Sequence, residues 1–188
     1  MNKKVLLAVL LSVATAFGVS AQKFNPDPSF LKGENQINVV FDYSQVKFDG
    51  TPKDKYYKSK GQDWVDEWEG QRQENNIRAF TSGINDQLGK LNVNVGEESD
   101  AQYTLVVVVL DCGFGTFSAG FLRSDPGKVQ ATINVVKTGT TETLASITMK
   151  VKQNSFTTVG TPVDFDRIYL AFSILGDEVG KKLYSALK

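Results

Sequence analysis

The run at residues 103–110 (YTLVVVVL) constrains this chain more than any other segment. A strand with one face in water alternates apolar and polar side chains, whereas here both phases are apolar. The segment must therefore lie centrally in a sheet or be covered on both faces. Two later segments do alternate. Residues 128–137 (KVQATINVVK) put Val129, Ala131, Ile133 and Val135 on one face, and residues 143–152 (TLASITMKVK) do the same with Ala145, Ile147, Met149 and Val151. The short KTGTT link at 137–141, with Gly139, predicts a hairpin between them. Upstream, residues 36–43 (QINVVFDY) predict a first strand in which Ile37, Val39 and Phe41 alternate with Asn38, Val40 and Asp42. A shorter strand is expected at 92–95.

Two helices complete the pattern. Over residues 63–91, Ile77, Phe80, Ile84, Leu88 and Leu91 fall at steps of three and four, one apolar stripe, and Gly70 divides the segment into two pieces. Trp64 and Trp68 sit one turn apart in the first piece. The lysine-rich stretch 50–61 before it predicts a loop or a frayed helix start. At the C-terminus, Thr161, Pro162 and Asp164 supply a cap, a first-turn proline and an acid. Phe165, Ile168, Phe172, Leu175, Val179, Leu183 and Leu187 follow at helical spacing. Gly176 and Gly180 lie beside that stripe, where close backbone approach to a sheet is the expected reason for them. Strand, helix, short strand, three longer strands and helix make an α+β fold. The expected form is a mixed sheet of four to five strands with two amphipathic helices packed on one face.

The first 21 residues are not expected to belong to that fold. Lys3 and Lys4 precede an apolar run at 5–18 that is too short for a comfortable membrane span, and Val19-Ser20-Ala21 offers a small-residue cleavage site. This is the pattern of a signal peptide on a periplasmic or secreted protein. No cysteine follows the run for lipid anchoring, so the mature chain is expected to begin near Gln22 with no membrane span. Residues 22–35 carry two prolines and a glycine and read as an extended lead-in, and residues 36–188 form a single α+β domain.

Composition narrows the chemistry. The 188 residues include no histidine and one cysteine, with 21 basic and 21 acidic side chains. The His-based triad, His-bearing zinc centres and an internal disulfide are thereby excluded. Balanced charge argues against nucleic-acid binding. Cys112 ends an apolar strand, which suits a buried small hydrophobe better than a reactive thiol. Gly113 and Gly115 would need a glycine at 118 to complete a dinucleotide fingerprint, and Ser118 stands there. Glu97, Glu98 and Asp100 lack the alternation of a calcium loop, and no Ser–Lys pairing stands out. Asp63, Asp66, Glu67 and Glu69 cluster beside the tryptophans, as carboxylates of a sugar hydrolase would, but acids also favour a helix start. No catalytic residue, metal site or cofactor is expected.

Two features invite a binding role. The stretch 112–127 (CGFGTFSAGFLRSDPG) is longer than a hairpin needs and carries Phe114, Phe117, Phe121 and Leu122. Either its ends prolong the strands with the phenylalanines inward, or it is an apolar loop that meets a partner or an identical subunit. Trp64 and Trp68 are open to the same two readings, as core or as a stacking surface for a ligand. The favoured function is a non-catalytic protein that binds or helps assemble a cell-envelope protein. A small-ligand or glycan-binding module and a carboxylate-dependent hydrolase are the alternatives.

The signal, the amphipathic helix, the A-x-Y-T-L-V-V-V-V strand before a glycine-rich turn, and the segment A-T-I-N-V-V-K-T-G-T-T-E-T-L-A before a closing helix resemble a group of small secreted proteins of Gram-negative bacteria. Most of that group have no assigned function. The arrangement over residues 36–188 is similar to the TolB N-terminal domain and the CsgG-type α/β fold of curli secretion. The resemblance implies partner binding in the cell envelope and carries no active-site residue onto this chain.

If the leader is cleaved as its pattern implies, N-terminal sequencing of exported protein will begin at Gln22. Material that keeps Met1 would remove the assignment.

Overall fold

The computed structural model describes residues 22–97, 100–118, 123–153 and 164–188. The proposed leader, Phe121, Leu122 and the cap residues at 161–163 lie outside the described residues. Apart from two 3-10 turns, the elements in chain order are β1 (Gln36–Asp42), β2 (Lys47–Phe48), β3 (Thr51–Pro52), α1 (Lys53–Lys60), α2 (Gln62–Glu67), a π-helical turn (Trp68–Arg72), α3 (Gln73–Leu88), β4 (Asn94–Gly96), β5 (Tyr103–Gly113), β6 (Thr116–Ser118), β7 (Arg123–Asp125), β8 (Lys128–Lys137), β9 (Thr143–Lys152) and α4 (Asp164–Leu187).

The fold is α+β, and its sheet is mixed. β5 occupies the middle, as its uninterrupted apolar sequence demands. On one side it pairs antiparallel with β8, which pairs antiparallel with β9. On the other it pairs parallel with β1 and, further along, with β2. β4 lies outside β1, parallel to it, and β3 outside β2. The sheet thus has seven strands rather than the expected four to five. The difference is β2 and β3, two residues each, too short for any alternation to register. A separate ribbon pairs β6 with β7. The stretch expected as a loop or frayed start contains a complete two-turn helix, α1, none of whose residues is buried.

Both main helices cover one face of the sheet. Phe41 of β1 touches Phe80 of α3 at 5.3 Å and Phe172 of α4 at 6.0 Å between ring centroids. Leu105, Val107 and Val109 of β5 and Val129, Ala131, Ile133 and Val135 of β8 are fully buried beneath them. Three lead-in residues also hold to this body. Phe24 and Leu31 join the core, and Asn25 exchanges two backbone hydrogen bonds with Ser146 on the outer edge of β9.

The apolar stripes bring α3 and α4 together, and glycine sets how closely. A Cβ at Gly176 would stand 2.1 Å from the Phe80 carbonyl oxygen, and one at Gly83 would stand 2.3 Å from that of Ser173. The glycines of α4 therefore admit a neighbouring helix, not the sheet as their position suggested. The contact is invisible in sequence because its other half, Gly83, lies 93 positions away from Gly176 in the chain.

Gly176→Ala tests this crossing. Alanine gains about 1 kcal/mol of helix propensity. Overpacking costs about 1–3 kcal/mol, and here the obstacle is backbone that cannot rotate aside. The clash should win, lowering the urea midpoint, whereas Gly89→Ala, with open space around the added carbon, should not.

Candidate functional site

Three of the residues picked out by sequence, Trp64, Trp68 and Phe114, converge at one end of the sheet, where β2, α1, α2 and the start of α4 meet. A β-bulge makes this possible. Between Val109 and Asp111 the register of β5 against β8 shifts by one, leaving Leu110 unpaired. One extra residue reverses the phase of everything after it. Cys112 and Phe114 consequently face the helices, at 0% and 4% exposure.

Around Phe114 stands a cluster of rings. Trp64 and Trp68 stack at 5.8 Å with an interplanar angle of 5°, which their one-turn spacing permits because the helix continues through both. Phe48 meets Trp68 edge-on at 5.0 Å and stacks on Tyr56 at 4.8 Å. Phe165 of α4 closes the group, 5.7 Å from Trp64 and 5.9 Å from Phe114. Such pairs contribute about 0.5–1.5 kcal/mol beyond their area. The chain reaches this arrangement by kinking at Gly70, whose ψ of −109° breaks helical geometry between the tryptophans and α3. That is where the sequence placed the division.

Cations frame the cluster. The Arg72 guanidinium lies 4.6 Å above the Phe165 ring, Lys53 lies 5.2 Å from Tyr57, and Lys60 lies 5.1 Å from Tyr56. Arg167 is 1% exposed, and its Nε–H donates to the Phe114 carbonyl at 2.8 Å, tying the first turn of α4 to the end of β5. Burial pushes the Cys112 thiol well up, and the Asp111 and Asp49 carboxylates add to it, so the sulfur is held in its neutral, unreactive form.

Trp68 and Phe114 are thus packed in the interior, and Trp64 is half-buried against them. Phe117 lies in β6, while Phe121 and Leu122 fall outside the described residues. Three of the four carboxylates beside the tryptophans are engaged locally. Asp66 accepts from Gln62 at 2.7 Å, Glu67 from Arg72 at 2.8 Å, and Glu69 from Tyr57 and Lys53, each at 3.1 Å. Burial, together with the Glu69 carboxylate, pushes the Tyr57 hydroxyl far above its ordinary range. Among the described residues no group of three or more metal-ligating side chains gathers.

A different surface lies on the opposite side of the sheet. No described helix packs on the second face of the sheet, where Val40, Val106, Asn134 and Ser146 form one cross-strand row and Asp42, Val108, Thr132 and Thr148 the next. The polar half of this face is internally satisfied: Thr132 and Thr148 share a hydrogen bond of 2.8 Å, and Ser146 donates to Asn134 at 2.8 Å. The other half carries three valines, Val40, Val106 and Val108, with Asp42 beside them. Val40 is 47% exposed, more than Tyr169 or Phe30, the other large exposed hydrophobic side chains among the described residues. It borders a groove of about 420 Å³ lined by Asn38, Val39, Val40, Phe41, Ile77 and Glu97. Sequence reading passed over Val40, although its signal was present as an apolar residue in the polar phase of an alternating strand.

No family model and no curated protein matches the sequence. Among solved structures the chain is similar to a PelC dodecamer from Paraburkholderia phytofirmans, with 13% identity and a TM-score of 0.41, over 82% of this chain and 97% of that one. It is also similar to a minor lipoprotein from Acinetobacter baumannii, with 11% identity and a TM-score of 0.37, over 82% of this chain and 93% of that one.

The burial of Phe114 makes a direct prediction. Phe114→Ala should destabilise the protein by about 3–5 kcal/mol in denaturant titration, the range for a phenylalanine removed from a core. A loss below about 1 kcal/mol would mean that the ring does not hold the cluster together.

Proposed function

We propose that this chain is a non-catalytic protein of the bacterial cell envelope, exported by its N-terminal leader, which binds a protein partner along the uncovered side of its sheet. The leader sequence supports the location, and Val40 supports the binding. A half-exposed valine is unremarkable alone. This one stands beside Val106 and Val108 on the uncovered face and at the mouth of a groove that also opens on an unfinished strand edge. A flat apolar strip next to an open edge suits an extended segment or another sheet, the main chain supplying hydrogen bonds and the valines the apolar contact. The aromatic cluster supports the reading indirectly: with Phe114 and Trp68 interior, it serves to hold β2, α1 and α4 in place behind that surface.

A photo-crosslinking residue at position 40, in cells, should yield a covalent protein adduct. The same residue at Ser185, exposed on α4, should not. Absence of adducts at position 40, or equal yields at both positions, would remove the proposed binding surface.

A further inference from the structure

The partner-binding reading leaves open which partner, and the two edges of the sheet answer to one another. On the β1 side, β4 ends at Gly96, opposite Asn38. The Asn94 amide donates to the Asn35 carbonyl, so odd-numbered residues of β1 turn their backbone groups toward β4. Beyond Gly96, the Phe41 amide and carbonyl therefore point into the groove with no strand opposite them among the described residues. Among the described residues the charged side chains at this edge are acidic: Asp42 beside Val40 on the second face, and Glu97, exposed and without an ion-pair partner, at the lip of the groove, which Asn38 also lines.

On the other side of the sheet, Ser146 exchanges both backbone hydrogen bonds with Asn25, which shows that even-numbered residues of β9 turn their backbone groups outward. Past that bridge, Lys150 and Lys152 present outward main chain, and their exposed side chains lie on the same uncovered face as Val40 and Asp42. Neither lysine has an ion-pair partner among the described residues. β1 and β9 also run in the same direction, since β1 is parallel to β5 and two antiparallel pairings separate β5 from β9.

We propose that the chain assembles head to tail with copies of itself, the β9 edge of one copy pairing in parallel with the β1 edge of the next. This rests on the partner-binding reading and names the partner. Charge decides between the arrangements. Pairing β9 with a second β9 sets lysines against lysines, and pairing β1 with a second β1 sets acids against acids, both unfavourable across a ladder. Only the unlike edges bring Lys150 and Lys152 beside Asp42 and Glu97. Edge lysines normally deter strand addition; here they deter all but the acidic edge. A contact between unlike surfaces does not close on two copies, so the product is a ring or a filament.

Sedimentation velocity on the purified protein tests this, with thermal unfolding to establish that each variant is folded. Wild type should form species larger than a dimer at concentrations up to about 1 mM, a range that detects weak contacts, and raised salt should weaken them. Lys150→Glu with Lys152→Glu, and separately Asp42→Asn with Glu97→Lys, should each weaken association about 10-fold or more. Mixing the two variants should restore it, because each then offers the edge that the other needs. A folded wild type that remains monomeric throughout would overturn the proposal, as would variants that assemble undiminished or a mixture that fails to recover. Crosslinks at position 40 to an unrelated protein, with a monomeric wild type, would overturn self-assembly and leave the partner-binding function standing.

Discussion

Between Val109 and Asp111, β5 carries one residue that β8 does not match, and the arrangement of one end of the molecule depends on it. Without the bulge, strict alternation would carry Cys112 and Phe114 to the uncovered face together with Val106 and Val108. With it, the same strand buries Leu105, Val107 and Val109 before the bulge and Cys112 and Phe114 after it, all beneath the helices. The aromatic cluster then has a floor. Phe48 reaches Phe114 because β2 pairs with β5 at Cys112, and Phe165 reaches it because Arg167 holds the Phe114 carbonyl.

Packing on the helix side is set by small residues as much as by large ones. Gly83 and Gly176 let the backbones of α3 and α4 touch, which draws both apolar stripes onto the same few strands. Phe41 illustrates the result, since it meets a phenylalanine from each helix. A wider separation of the helices would leave that ring without one of its partners. The two helices therefore act as a single lid, and no described helix lies over the sheet's other face.

That asymmetry links the fold to the proposed role. A central strand apolar in both phases needs neighbours on either side, and it has them in β1 and β8. It also needs some cover on its second face, and half-buried valines meet only part of that demand. The satisfied Thr and Asn pairs on β8 and β9 reduce the attraction of that half of the face for other molecules. The valine half and the β1 edge remain.

The α+β class, the central place of β5, the hairpin around Gly139, the buried character of Cys112 and the division of the helical segment near Gly70 were all legible in the amino-acid order. Each depends on short-range periodicity or on the backbone preferences of one residue, such as the positive φ of 81° at Gly139. The tertiary structure alone decided the rest. It turned Phe114 inward through a bulge that no local pattern announces. It gave Gly176 a helix for a neighbour instead of a sheet, and it built β2 and β3 from two-residue pairings. It also left Val40 exposed, and the later parts of β1 and β9 without a strand opposite their outer edges among the described residues. The physical reason is the same in each case: these features are contacts between segments far apart in the chain, and periodicity within one segment says which face is apolar but not what will come to cover it.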